Sequence, residues 1–269
     1  MAPELQLDDL DNKIALAFPG RFVRKDLVKK LKVGFNIPIY VLEYLLGKYC
    51  STTNEEEINK GLELVKSAIA ERIVRPDQTE LIKARLQVHG TMKLIDHVSV
   101  TFDEKVAGGK FWAKLTTCSL DKVHIDHSIV YGNERLLTGG IWANVELNYD
   151  DTLGNDGSIR PFVIRRLSPI QIASSNFSEF IAGRATFSRE EWINLLIRSM
   201  GYNANHPDFT FRRKLLFLLR LVPMVEKNYN MIELGPRGTG KSFVYREVSP
   251  NVILLSGGQG SVADLFGWK

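Results

Sequence analysis

The sequence has few cysteines and no long apolar run. Its 269 residues include only Cys50 and Cys118, with no CxxC pair, so we expect two small core thiols in a reducing compartment rather than a disulfide scaffold. The longest apolar-rich run, 215–225, is broken by Arg220 and Pro223 and falls short of the roughly 20 residues that a membrane-spanning helix needs. The first nine residues are acidic and lack the basic and apolar regions of a secretory signal. We therefore expect a cytoplasmic location.

The composition is that of an ordinary globular protein. It is 44% hydrophobic and 25% charged, which is enough apolar residues for a sizeable core, and the length allows two domains or more. A formal net charge of +4 and a pI of 8.9 permit nucleic-acid binding without requiring it.

The spacing of apolar residues predicts an α+β, multidomain chain. Residues 1–90 show helical spacing and are predicted to form an N-terminal helical domain. Short apolar runs separated by glycine turns then predict a small barrel or sandwich, of which we favour a compact, OB-like β-barrel over 91–173. Residues 174–226 are predicted to be a helical connector. The last segment, 227–269, has the order strand, glycine loop, helix, strand, and is predicted to be the start of a P-loop domain.

Local patterns predict where individual elements begin. The predicted barrel strands include 111–115, 124–131, 141–149 and 162–172. Polar residues ahead of apolar runs predict helix starts, among them these three: Asp77 with Glu80, Ser188 with Glu191, and Asp208 ahead of 211–221.

The segment 235–242 matches the pattern GxxxxGK[ST] in full. Its residues are Gly235, Pro236, Arg237, Gly238, Thr239, Gly240, Lys241 and Ser242. The glycines let the backbone curl so that successive N–H groups point at the β-phosphate, and Lys241 supplies a charge for the β- and γ-phosphates. The Ser242 hydroxyl is predicted to ligate Mg²⁺. The apolar run 230–234 is predicted to form the strand before the loop. We therefore predict ATP and Mg²⁺ as cofactors of the complete protein.

Acidic residues are scarce after this loop. P-loop ATPases hold Mg²⁺ and the attacking water with an acidic pair at the end of a later strand. Here only Glu247 and Asp264 follow Ser242, and neither ends a hydrophobic strand. We expect that the chain stops inside an ATPase domain and does not hydrolyse ATP by itself, and we assign it no catalytic residue.

The tail of the chain resembles the start of the AAA+ domain in MCM-type replicative helicases. The resemblance rests on the loop 235–242, the Pro250-ended helix after it, and the run Val252-Ile253-Leu254-Leu255-Ser256-Gly257-Gly258-Gln259-Gly260-Ser261, and it covers about 40 residues.

The whole chain is more specifically similar to the BrxL family, the Lon-like AAA+ factors of BREX phage-defence systems. The similarity rests on 7–11, 18–27, 36–43 and 234–242. It implies an ATP-dependent, DNA-binding, ring-forming homo-oligomer that works with other BREX components and carries a Lon-protease-like domain further along. No Ser–Lys protease pair is assigned in this chain. An MCM-like translocase or helicase and a protein-remodelling unfoldase remain the alternatives.

A cluster of basic residues marks a candidate nucleic-acid surface. Its members are Arg21, Arg24, Lys25, Lys29, Lys30 and Lys32, with Asp26 the single acid among them. On a helix several of them share one face, which would neutralise phosphates of double-stranded DNA without reading its sequence. A charge run is otherwise explained as a solvated helix face.

Two other sets of residues are predicted to be structural. His124, Asp126 and His127 lie near Cys118 in sequence, but structural zinc needs four ligands and a second pair is absent, so hydrogen bonding is the better interpretation. Trp112 and Trp142 would stack bases in an OB-like barrel. Since both lie in apolar runs, we predict instead that they pack in the core.

Overall fold

The computed structural model describes residues 7–31, 37–74, 76–106, 108–153, 161–170, 177–249 and 252. The described residues divide into two compact units: those within Met1–Lys66 and Gln171–Leu254, here called the helical unit, and those within Ser67–Ile170, here called the barrel unit. Helices and a five-stranded barrel together confirm the predicted α+β class. The domain limits given above stay predictions.

The helices follow one another along the chain as short amphipathic segments. They are α1 (Asp9–Ala17), α2 (Lys25–Leu31), α3 (Ile39–Tyr49), α4 (Glu55–Arg72), α5 (Thr79–His89), α6 (His127–Tyr131), α7 (Phe177–Ala185), α8 (Arg189–Ser199), α9 (Phe211–Leu218), α10 (Val222–Val225) and α11 (Lys241–Glu247). Among these described helices, none is long and apolar enough to cross a bilayer.

One of the three predicted helix starts is confirmed. The Ser188 hydroxyl accepts the Glu191 N–H, and the Glu191 carboxylate accepts the Ser188 N–H, so α8 begins with a capping box. The prediction for Asp77 and Glu80 is wrong, because a 3₁₀ turn (Pro76–Gln78) precedes α5 and Gln78 makes no capping bond with its side chain.

The Asp208 prediction is also wrong. Helix α9 is capped by Thr210, whose hydroxyl accepts the Arg213 N–H at 3.4 Å, and the helix is followed by a 3₁₀ turn (Leu219–Leu221). A threonine directly before the first helical residue is placed to reach the third N–H, whereas Asp208 lies two residues too early.

In the helical unit, α2 and α3 pack against each other. Leu27 and Val28 of α2 and Leu42 and Leu45 of α3 are almost completely buried. Gly61 lets α4 approach the end of α3, since a Cβ at this position would lie 2.1 Å from the carbonyl oxygen of Tyr49.

A second apolar cluster in the same unit joins α8, α9 and α11. Ile197 and Met200 from α8 and its end meet Val244 of α11, and all three are buried. Phe217 of α9 packs against this group and contacts the ring of Tyr202 edge to face. The helix that follows the glycine loop is therefore supported on its apolar side.

The barrel unit contains a closed barrel in the order β1-β2-β3-β5-β4. Its strands are β1 (Thr91–Asp103), β2 (Lys110–Leu115), β3 (Leu120–Ile125), β4 (Ile141–Tyr149) and β5 (Phe162–Pro169). The long β1 pairs with β4 along its first half and with β2 along its second half, while β3 and β5 run parallel. Side chains alternate between a buried interior and the outer surface.

Two predicted strands have other bounds in the structure, and β3 also begins four residues earlier than predicted, at Leu120. The strand predicted over 124–131 ends at Ile125, because Asp126 accepts the Ser128 N–H at 2.8 Å and starts α6. The strand predicted over 162–172 ends at Pro169, and 171–172 lie outside the described residues.

A buried carboxylate fastens the β2–β3 turn to β1. Asp96 is 1% exposed, and its two oxygens accept the N–H groups of Thr117 and Cys118 at 2.7 and 2.9 Å. Cys118 and Cys50 are both free and buried, which confirms the prediction of two core thiols. Burial is the largest of the causes that raise the pKa of the Cys118 thiol, so this group stays protonated.

Candidate nucleotide-binding loop and nucleic-acid surfaces

The segment 235–242 folds as a tight loop ahead of α11. Gly238 and Gly240 have φ angles of 81° and 75°, which disfavour any side chain, and the helix begins at Lys241. The Lys241 ammonium folds back into the loop. It donates to the carbonyl oxygens of Gly235 and Pro236 at 2.8 and 2.6 Å and contacts the Thr239 hydroxyl at 3.0 Å.

The remaining predicted residues of the loop face solvent. Arg237, Gly238 and Thr239 are exposed, and Ser242 is exposed in the first turn of α11. The loop is thus open on the side where its ammonium and hydroxyl groups lie, and its geometry suits a polyanion with a bound cation.

The predicted strand before the loop is absent among the described residues. Residues 230–234 form no ladder, and Ile232 and Leu234 are 88% and 89% exposed. A strand requires a hydrogen-bonded neighbouring strand. The predicted neighbour is 252–255, and residues 253–255 lie outside the described residues.

Two contacts that sequence reasoning missed hold this region. Arg220, whose side chain is 7% exposed, pairs with Glu233 at 2.7 Å and stacks on Phe217 with its guanidinium 4.3 Å from the ring centre. Tyr202 approaches the loop so closely that a Cβ on Gly240 would lie 2.9 Å from its hydroxyl oxygen. Glu233 is 13 positions from Arg220, and Tyr202 is still further from Gly240, so no local pattern pointed to these two contacts.

The basic cluster does not form one free positive stripe. Arg24 is bonded to Asp26 at 2.9 Å and to Glu55, Lys25 is paired with Glu43, and Arg21 is paired with Glu179 at 2.6 Å. The hydrogen bonds that Arg24 donates to Asp26 are the largest cause that raises the pKa of Arg24 above its ordinary value. These three charges are therefore already offset by carboxylates.

Lys29 and Lys30 differ from the rest of the cluster. Both are exposed in the last turn of α2, next to the buried Leu31. The sixth predicted residue, Lys32, lies outside the described residues. Of the predicted DNA contacts, Lys29 and Lys30 are thus the described ones best placed to meet a phosphate.

The prediction that Trp112 and Trp142 pack in the core is wrong. Each is half-buried on the outer surface of the barrel, while its neighbours on the strand, such as Phe111 and Ala113, point inward. The sequence contained a signal for this outward position. Trp112 is two residues from both Lys110 and Lys114, so all three side chains lie on the same face of the strand.

The histidine cluster is spread over different structures. His124 lies at the end of β3 and touches Trp112 edge to face, Asp126 caps α6, and His127 contacts Phe111 from the first turn of that helix. Within the described part of the chain, no group of three or more His, Cys, Asp or Glu is placed to hold a metal ion.

Comparison with known proteins gives one consistent result. Residues 16–149 match the protein family described as "BREX system Lon protease-like protein BrxL N-terminal". Residues 162–268 match the family described as "Lon-like protease BrxL-like, ATPase domain". The chain belongs to the BrxL family.

Curated relatives of the BrxL family agree with this assignment. The Lon-like protease BrxL of Bacillus cereus (strain H3081.97) is 43% identical over 260 residues, which is 97% of this chain and 38% of that protein. The Lon-like protease BrxL of Escherichia coli O9:H4 (strain HS) is 43% identical over 258 residues, 96% of this chain and 36% of that protein. The chain thus spans just over a third of the length of these two relatives.

Proposed function

We propose that this chain carries the nucleotide-binding loop of an AAA+ ATPase and that Gly235–Ser242 binds ATP with Mg²⁺. The main support for this proposal is the position of Lys241, whose ammonium donates hydrogen bonds to oxygens of its own loop. Phosphate oxygens offer a lysine stronger, charge-assisted partners than carbonyl oxygens do. The bound nucleotide would replace those internal contacts, and the match to the BrxL ATPase domain supports this assignment.

Each residue of the loop has a distinct role in this proposal. The backbone N–H groups around Gly238 and Gly240 would surround the β-phosphate, and Lys241 would hold the β- and γ-phosphates. The exposed Ser242 would ligate Mg²⁺. Hydrolysis also needs an acidic pair for Mg²⁺ and the attacking water, and this proposal assigns no residue to that role.

A fluorescent ATP analogue titrated into the chain with and without Mg²⁺ tests the proposal. We expect saturable binding that Lys241→Ala weakens at least tenfold and that Ser242→Ala makes insensitive to Mg²⁺. Lys227→Ala is a matched control, because Lys227 is an exposed lysine of the same unit outside the loop. Equal affinity of wild type and Lys241→Ala would contradict the assignment.

The wider function in this proposal is ATP-dependent action on DNA in phage defence. The BREX name attached to the matching family supports a place beside other BREX components. The exposed Lys29 and Lys30 support contact with double-stranded DNA through its phosphates. A homo-oligomeric ring is the assembly expected of such an ATPase, and the mass of the chain in solution with and without ATP analogue checks it.

The barrel is proposed to be of the OB type. Support comes from its strand order, in which β1 pairs with both β2 and β4 and the barrel closes through the parallel β3–β5 pair. The short helix α6 lies between β3 and β4. Barrels of this type bind oligonucleotides across the face formed by β2 and β3.

A further inference from the structure

The outer surface of β2 carries an aromatic ring between lysines. Trp112 pairs across the sheet with the exposed Thr101 on β1 and with His124 on β3, which is only 8% exposed and touches the edge of the indole. Lys110 and Lys114 lie two residues before and after Trp112 on the same face of the strand. The Lys110 ammonium lies 4.4 Å from the centre of the indole.

An irregularity in β3 adds a third lysine to this surface. The β2–β3 register shifts between Ala113 and Leu115, so that Asp121 and Lys122 both lie opposite Lys114. Lys122 is exposed and has a φ angle of 56°, a left-handed conformation that costs energy in a residue with a side chain. Asp121 pairs with Lys114 at 3.3 Å, and both side chains are more than half exposed.

We propose that this surface, the Trp112 face (Lys110, Trp112, Lys114 and Lys122), binds single-stranded nucleic acid. One base stacks on the indole, and the lysines on either side contact the flanking phosphates. The Lys110 ammonium leaves the ring and pairs with a phosphate, since a cation on an exposed ring is held more weakly than a base that stacks there. The exposed pair of Lys114 and Asp121 is weak enough to yield to a phosphate in the same way.

The chemistry of the Trp112 face favours a single strand over a duplex or a protein. In a duplex each base is already stacked between its neighbours, so the flat face of an indole has no partner there. A protein-binding surface usually has an apolar centre from which charged residues are depleted. Here three lysines surround a single indole, and two acids lie across from them, Asp103 opposite Lys110 and Asp121 paired with Lys114. The proposal deepens the action on DNA proposed above and rests on it, but it requires no ATP.

The first experiment measures the stacking contact. The full chain is titrated by fluorescence anisotropy into labelled dT20, U20 and a 20-base-pair duplex. Trp112→Leu is expected to weaken binding of the single strands about tenfold, within the range that loss of one stacked base produces. Trp112→Phe keeps an aromatic ring and should keep most of the affinity. Trp142→Leu is the matched control, because Trp142 is equally an outward, half-buried tryptophan of the barrel but lies on β4.

The second experiment counts phosphate contacts. Affinity for a single strand falls with salt by about 0.7 logarithmic units per contact. Lys110→Gln with Lys114→Gln should therefore lower the slope by about 1.4, whereas Lys29→Gln with Lys30→Gln should leave it unchanged. Tighter binding of U20 than of dT20 would support the same site and assign its strand to RNA.

Several results would overturn this proposal. One is equal affinity of wild type, Trp112→Leu and Trp142→Leu for dT20 while near-ultraviolet circular dichroism shows that all three are folded. Another is tight duplex binding without single-strand binding, which would leave the proposed action on DNA intact. Competition by unfolded polypeptide instead of by oligonucleotide would place a protein on this face. The ATP-analogue titration reports on the nucleotide loop separately, so failure at one site is distinguishable from failure at the other.

Discussion

The carboxylate of Glu247 accepts the backbone N–H of Ile39 at 3.0 Å, although the two residues are 208 positions apart. The last residue of α11 thereby satisfies an N–H in the first turn of α3. Helix α3 makes no side-chain capping bond of its own, because Pro38 stands at its N-cap position. Glu247 is 5% exposed, so its negative charge is held close to the positive end of the α3 dipole.

Glu247→Ala should open the start of α3. The Ile39 N–H loses its acceptor, and we expect a loss of about 1–2 kcal/mol in the stability of this turn. Hydrogen exchange of the Ile39 amide should then accelerate at least severalfold. Glu226→Ala, at an exposed glutamate of the same unit, is the control. Unchanged exchange in Glu247→Ala would show that the contact does not stabilise the helix.

Arg198→Met should make the helical unit less dependent on pH. Arg198 donates to Asp8 and Asp11 at 2.6 and 2.7 Å, and its hydrogen bond is the largest cause that lowers the pKa of Asp8. A depressed carboxyl pKa adds stability that is fully present above about pH 4 and is lost as the pH falls below it. We expect about 1 kcal/mol at pH 7, a modest value because the Asp8 side chain is 42% exposed and solvent screens the pair.

The measurement for this variant is urea unfolding at pH 7 and pH 3. Wild type should lose more stability than Arg198→Met between the two pH values. Lys66→Met removes an exposed pair with Glu63 and should behave like wild type. An equal pH dependence of Arg198→Met and wild type would contradict the prediction.

Gly61→Ala should be strongly destabilising even though alanine favours helices. The new Cβ would lie 2.1 Å from the Tyr49 carbonyl oxygen, a backbone atom that cannot move without shifting the end of α3. We expect a loss of about 3 kcal/mol, at the upper end of overpacking costs. Thermal unfolding measures it, with Lys60→Ala at the neighbouring exposed position as the control. A melting temperature equal to that of the control would mean that α3 and α4 are further apart.

Lys29→Gln with Lys30→Gln should weaken binding to a 30-base-pair duplex, because both ammonium groups are exposed. The slope of log affinity against log salt should fall by about 1.8, at 0.9 per phosphate contact on duplex DNA. Lys25→Gln should have a smaller effect, since the Lys25 charge is already paired with Glu43. The reverse order of effects would move the duplex contact to the other end of α2.

Local features of this protein followed from the sequence alone. The glycine loop at 235–242 and the capping box of Ser188 and Glu191 each involve a few consecutive residues, so their spacing contains the information needed to predict them. Strand β4 was predicted with its bounds, because the alternation from Ile141 to Tyr149 is regular.

Features that depend on distant partners were decided only by the tertiary structure. The alternation around Trp112 defined two faces, but closure of the barrel determined which face became the interior. The sequence presents Lys25 as one of a run of basic residues, whereas in the structure it is paired with Glu43 of α3. The contact between Glu247 and Ile39 likewise joins segments 208 residues apart. Sequence spacing determines which side chains share a face, whereas burial and charge pairing depend on what packs against that face.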